Sequence, residues 1–157
     1  MAHEVELEAL ATYLEKNHLK QTKQRELILQ TFLEASRHVT SEELYQAVRS
    51  EHSNIGYTTV YRTMKLLVEA GLATERHFDD GITRYEIEQE HHDHIICLDC
   101  GAITEFEDES IERRQEQRAD ELGFRVERHK FELYCRCLNA DGDCPRRRAH
   151  VASTGLD

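Results

Sequence analysis

Three features of this chain of 157 residues predict an α+β fold in two parts. Residues 7 to 70 carry apolar residues at helical spacing, and a hairpin turn signal, Asp79-Asp80-Gly81, follows them. From residue 91 the period turns toward strands, in the half that holds every cysteine and the cluster His91-His92-Asp93-His94.

Leu7, Leu10, Ala11 and Leu14 share one face of a first helix. Thr22 can cap a second that carries Leu27, Ile28 and Phe32. Thr40-Ser41-Glu42-Glu43 is a capping box, in which Thr and Glu satisfy each other's first-turn N–H groups, and it opens a third helix with Leu44, Tyr45 and Val48. Gly56 precedes a fourth helix, Tyr57 to Ala70, and Gly71 closes it by tolerating the left-handed conformation a helix end needs. Leu72 to Phe78 and Ile82 to Ile87 flank the turn as two strands. Short helices ending in a two-stranded wing make a winged helix-turn-helix over residues 1–87. Glu88-Gln89-Glu90, with no apolar residue, is the expected hinge to a second part, residues 91–145. There His94 to Cys97 and Ala102 to Phe106 read as strands, Asp108 caps a helix to about Leu122, and Phe124 to Cys137 reads as one long strand or a bent pair. Residues 146–157, opening Arg146-Arg147-Arg148, have no core-forming pattern and are expected to be disordered.

Lys plus Arg number 20 against 31 Asp plus Glu, a formal net charge of −11 that argues against a polybasic arm or membrane-surface peptide. No apolar run approaches the ~18 residues of a membrane span. The start, Met1-Ala-His-Glu-Val-Glu, has no basic or apolar leader region, so a cytoplasmic protein without a membrane partner is expected. Five cysteines, Cys97, Cys100, Cys135, Cys137 and Cys144, are an odd number in such a chain and favour metal or redox chemistry over a disulfide framework.

On the fourth helix Val60, Met64, Leu67 and Val68 lie on one face, while Thr58, Arg62 and Lys65 lie on another with Tyr57 and Tyr61 beside them. A helix in a major groove needs such a face: hydroxyls and a cation for phosphates and guanine edges, a ring against thymine methyls. The plain alternative is a solvated amphipathic helix. Lys20, Lys23 and Arg25, with no acid between them, favour DNA. Overall charge opposes it, since residues 1–87 carry 10 Lys plus Arg against 14 acids and the rest 10 against 17. Tight binding therefore needs well-placed local cations and a dimer that doubles the contacts, and bound divalent cations would offset part of the acidity.

Cys97-x-x-Cys100-Gly101 is a knuckle that presents two thiolates from one tight turn, half of a tetrahedral zinc site. Cys135-x-Cys137 on a strand points both sulfurs to one face, and Cys144 follows a glycine-containing loop, so the expected set is Cys97, Cys100, Cys137 and Cys144, with Cys135 as the alternative. If the histidine segment is extended, His92 and His94 point one way and His91 and Asp93 the other, so that one strand feeds two sites. Imidazole and carboxylate without thiolate suit Fe, Mn or Zn dications at five or six coordination, whereas the sulfur site suits zinc.

These motifs resemble the ferric uptake regulator family of bacterial metal-dependent repressors. The matching stretches are Gly56-Tyr-Thr-Thr-Val-Tyr-Arg62, the wing ending Arg84-Tyr85-Glu86, His91-His-Asp-His-Ile-Ile-Cys97-Leu-Asp-Cys100-Gly101, and Glu105-Phe106 through Ser110-Ile111-Glu112. The likeness runs from about Leu19 to Cys144. It implies an N-terminal winged-helix DNA-binding domain hinged to a C-terminal α/β dimerisation domain. It implies a sensor site of His38, Glu86, His92, His94 and Glu105, and a second site of His91, Asp93, Glu112 and His129. DNA contacts are expected from Lys20, Arg25, Tyr57, Thr58, Thr59, Tyr61 and Arg62. The implied effector is Fe²⁺, with Mn²⁺ or Zn²⁺ substituting in vitro, beside a structural Zn²⁺. The implied partners are double-stranded, A/T-rich palindromic operator DNA and a second copy of the chain, as dimer or tetramer.

Within the family, peroxide-sensing members usually place Asp where this chain has Glu86 and Glu105, and zinc-sensing members commonly use a cysteine in the sensor site. The pattern here resembles that of the family's iron-responsive members, which implies a repressor of iron-uptake genes, with zinc or peroxide sensing as the alternatives. The carboxy-terminal CxxC common in the family is replaced by Cys135-x-Cys137 and Cys144. A mononuclear metalloenzyme built on His, His and Glu is the rival from another class. It is disfavoured because four or five protein ligands leave little room for substrate, and no nucleophile with a paired base or Gly-rich phosphate loop is present, so no enzyme is expected.

Overall fold

A computed structural model describes residues 3–35, 38–87 and 91–138. The chain divides into two compact units, residues 1–89 and 90–157. The expected hinge at 88–90, Cys144 and the tail from 146 lie outside the described residues. Among the described residues no helix is long and apolar enough to cross a membrane.

In the first unit, helices α1 (Glu4–Lys16), α2 (Lys23–Glu34), α3 (Ser41–Glu51) and α4 (Tyr57–Glu69) precede strands β1 (Ala73–His77) and β2 (Thr83–Ile87). The apolar stripes read from the sequence converge on one core of Leu10 and Leu14 from α1, Ile28 and Phe32 from α2, Leu44 and Val48 from α3, and Val60, Met64 and Leu67 from α4. Each such burial contributes about 1.5–3 kcal/mol, which is why these helices hold together despite modest length. The caps form as expected: Thr22 accepts from the Arg25 N–H, and the Thr40 and Glu43 side chains accept reciprocally from each other's backbone N–H at 3.1 and 2.8 Å. Gly71, at φ +71°, lets the chain leave α4.

Strands β1 and β2 pair antiparallel, with Ala73 opposite Ile87 and His77 opposite Thr83. The turn between them is closed by the Gly81 N–H on the Phe78 carbonyl at 3.1 Å, with Gly81 at φ +74°. Arg84 sits 2.8 Å from Asp80 and holds its carboxyl below the usual carboxylate range. A further bridge joins Val39 to Tyr85 through two backbone hydrogen bonds of 3.0 and 2.8 Å.

The second unit is a three-stranded sheet with β3 (Asp93–Cys97) at its centre, antiparallel to β4 (Ile103–Phe106) and parallel to β5 (Glu132–Cys135), plus helix α5 (Glu109–Glu121). Asp108 caps α5 by accepting from the Ser110 and Ile111 N–H groups. The long strand expected over Phe124 to Cys137 is corrected: only Glu132–Cys135 is strand, and residues 124–131 have no regular structure. Pairing with β3 begins where the His94 N–H reaches the Phe131 carbonyl, and among the described residues no strand pairs with the run before it. Among the described residues helix α5 has none that is fully buried, and Leu122 and Phe124 beyond it are 64% and 70% exposed.

Candidate functional site

Backbone register builds the ligand groups. Because Val39 bridges Tyr85 antiparallel, the neighbours His38 and Glu86 stand opposite each other, and His38 Nε2 lies 3.0 Å from Glu86 Oε2 with both side chains almost fully buried. Arg76 Nε donates to the other oxygen, Glu86 Oε1, at 2.6 Å. This pair belongs to the first unit.

In the second unit, β3 and β4 set His94 directly opposite Glu105. His92 joins them, its ring 4.9 Å from that of His94 and its Nε2 3.8 Å from Glu105 Oε1. His92, His94 and Glu105 thus offer one donor atom each within 4.8 Å of one another. Glu132, in register with His94 on β5, is engaged elsewhere. Burial pushes its carboxyl up, but hydrogen bonds from Lys130 and Tyr134 outweigh that and hold it below the usual range.

The opposite face of β3 carries the other group. His91, Asp93, Glu112 and His129 each present an atom within 4.8 Å of the rest. The alternation expected of an extended segment therefore separates Asp93 from His94. The Asp108 cap fixes the start of α5, so Glu112 falls one turn in, 3.7 Å from His91 Nε2. Asp93 is 1% exposed, and neither of its oxygens has a hydrogen-bond partner, although His91 and His129 Nε2 approach Oδ1 at 3.2 and 3.5 Å. His129 Nε2 is orphaned as well. Buried polar atoms rarely stay unsatisfied, and a carboxylate and imidazoles that converge without donating to one another suit a shared cation.

The cysteines gather at the far end of the same sheet. Cys97 pairs in register with Cys135, and the knuckle is closed by the Gly101 N–H on the Cys97 carbonyl at 2.8 Å. Asp99, which the sequence did not single out, accepts from the Cys137 N–H at 2.8 Å and from Arg136 at 2.7 Å. It ties Cys137 to the knuckle, and its place between two thiolate positions was the signal that could have found it. Cys144 lies outside the described residues.

On α4, Tyr57, Thr58, Tyr61 and Arg62 are exposed and Thr59 is half-buried. Tyr57 stacks on Tyr61 and meets Tyr45 of α3 edge-on at 5.7 Å. Lys65 does not stand ready on this face as its spacing suggested. Its Nζ lies 2.6 Å from Glu75 of the wing, a bond that raises its pKa and occupies its charge. Lys20 is exposed, and its carbonyl accepts from Arg25 Nη1.

The ferric uptake regulator family model matches residues 16–134. A ferric uptake regulation protein of Campylobacter jejuni is 41% identical over 152 residues, which cover 95% of this chain and 94% of the relative. The ferric uptake regulator structure of Helicobacter pylori, described as revealing three functional metal binding sites, superposes with a TM-score of 0.82 at 33% identity over 88% of this chain and 93% of that one. The regulator of Pseudomonas aeruginosa with manganese gives 0.68 at 35% identity over 82% and 98%. The chain belongs to the ferric uptake regulator family.

Proposed function

We propose that this chain is an Fe²⁺-responsive transcriptional repressor, acting by binding and not by catalysis, that occupies A/T-rich palindromic operators as a homodimer in the cytoplasm and controls iron-uptake genes. The observation that carries this reading is the pair of nitrogen and oxygen donor groups on the two faces of β3, both without thiolate, in a chain whose other unit is a winged helix.

In this reading His38 and Glu86 from the first unit and His92, His94 and Glu105 from the second ligate one ion. His91, Asp93, Glu112 and His129 hold another, and Cys97, Cys100 and Cys137 with Cys144 hold a structural Zn²⁺. Bound metal supplies a positive centre that the donors of both units can satisfy only together. His38 and Glu86, preset at 3.0 Å, then fix the DNA-binding unit in one orientation. Tyr57, Thr58, Thr59, Tyr61 and Arg62 of α4 read the major groove, while Lys20 and Arg25 meet the backbone or a narrowed minor groove. The dimer is supported by α5, whose Ile111 and Ala119 form a groove with Leu122 and Phe124 beyond it, and none of these four is fully buried among the described residues.

The test is anaerobic titration of Fe²⁺, Mn²⁺ and Zn²⁺ into chelator-treated protein with a labelled A/T-rich palindrome, read by anisotropy. Fe²⁺ or Mn²⁺ should raise affinity about 5–150-fold, the usual range of such coupling, and chelator should reverse it. His38→Ala should move the titration midpoint while leaving the dimer intact. Activation by Zn²⁺ alone would shift the assignment to zinc sensing, and no metal dependence would overturn the proposal.

A further inference from the structure

We propose that Arg76 is a positioning residue that sets the metal threshold of this chain, by holding one oxygen of Glu86 and by standing as a positive charge beside the other. The inference rests on Glu86 being a metal ligand.

Register creates the contact. Thr74 faces Glu86 across the wing, so Arg76, two residues along β1, projects from the same face and reaches Glu86 diagonally. The other arginine on that face, Arg84, is engaged by Asp80 at 2.8 Å. Arg76 Nε therefore donates to Glu86 Oε1 at 2.6 Å, while Oε2 turns to His38 Nε2 at 3.0 Å. The Glu86 side chain is 4% exposed, so water competes little for either oxygen.

Two consequences follow. A charge-assisted hydrogen bond takes up one lone pair of Oε1, so Oε2, beside His38, is the oxygen better placed for a cation. The guanidinium also cannot lose its proton, so it repels any dication that binds there and already neutralises the buried carboxylate when no metal is bound. Both effects weaken metal binding. Because the repulsion depends on charge alone, it weakens every dication alike: Arg76 moves the threshold and not the selectivity.

The experiment is competition of Mn²⁺ and of Zn²⁺ between a fluorescent chelator and the chelator-treated full chain, in wild type, Arg76→Gln, Arg76→Lys and Glu86→Ala. Gln keeps an N–H donor but drops the charge, and should tighten one binding event about tenfold for both metals, the order expected of one like charge removed from a partly buried site. Lys keeps the charge and should tighten it less than Gln does. Unchanged or weaker binding in Arg76→Gln, or equal tightening by Gln and Lys, would overturn the proposal. Glu86→Ala should lose that binding event outright. If it retains all bound metal, Glu86 is no ligand and the underlying reading falls with the proposal; if it loses one event while Arg76→Gln changes nothing, the role of Arg76 alone fails.

Discussion

Replacing Asp93 with asparagine should stabilise the metal-free protein and remove the share of metal-dependent stability that the second site contributes. The wild-type carboxylate is 1% exposed and neither oxygen accepts a hydrogen bond, although two imidazoles stand beside Oδ1. A buried acceptor left without a donor costs about 1–3 kcal/mol, and more when it carries charge. Asparagine has nearly the same shape and no charge, so about 1 kcal/mol should return, which raises the midpoint by about 4–8 °C for a unit of this size. With metal the sign reverses. A cation at a hundred times its dissociation constant adds about 2.7 kcal/mol to the native state, and a neutral amide in place of the central anion forfeits most of it. Thermal melts of chelator-treated and Mn²⁺-loaded protein, at equal protein concentration and at pH 8, above the ordinary imidazole range, read both terms. A metal-free midpoint that falls, together with a metal-dependent rise as large as in wild type, would refute the reasoning and make Asp93 a structural ion-pair partner of His91 and His129.

Arg62→Ala, at an exposed position of α4, should lower operator affinity about 5–150-fold, equivalent to the 1–3 kcal/mol of a good base contact, and leave metal isotherms unmoved. An unchanged anisotropy curve would remove Arg62 from the DNA face. Phe124→Glu puts a charge into the groove beside Ile111, Ala119 and Leu122, and should shift sedimentation toward monomer; an undiminished dimer would mean that α5 pairs elsewhere. Thr40→Ala breaks the capping box and should cost about 1 kcal/mol in urea unfolding of the first unit. An unaltered midpoint would show that packing alone holds the start of α3.

Much of the fold was legible because its signals are local. Helical stripes, the Thr22, Thr40 and Asp108 caps, and the glycines after α4 and in the wing turn act over four residues or fewer, and each formed where its chemistry required. The same holds for the alternation that sends Asp93 and His94 to opposite faces of β3. The membership of each ligand group was not local: His38, Glu86, Glu105, Glu112 and His129 came from family resemblance, since no spacing in the chain joins them.

Sequence by itself determined the helices with their caps, the wing, and the imidazole and carboxylate character of the cluster His91-His92-Asp93-His94. Tertiary structure decided the pairings. The Val39–Tyr85 bridge set His38 against Glu86, the β3–β4 register set His94 against Glu105, and the wing register gave Glu86 to Arg76 and Glu75 to Lys65. Among the described residues it also left 124–131 outside any strand and no residue of α5 fully buried. The physical reason is range. A cap or an alternation is settled by neighbours along the chain, whereas strand register is settled by which residues of distant segments bury together, and a slip of one position would turn every ligand to the wrong face.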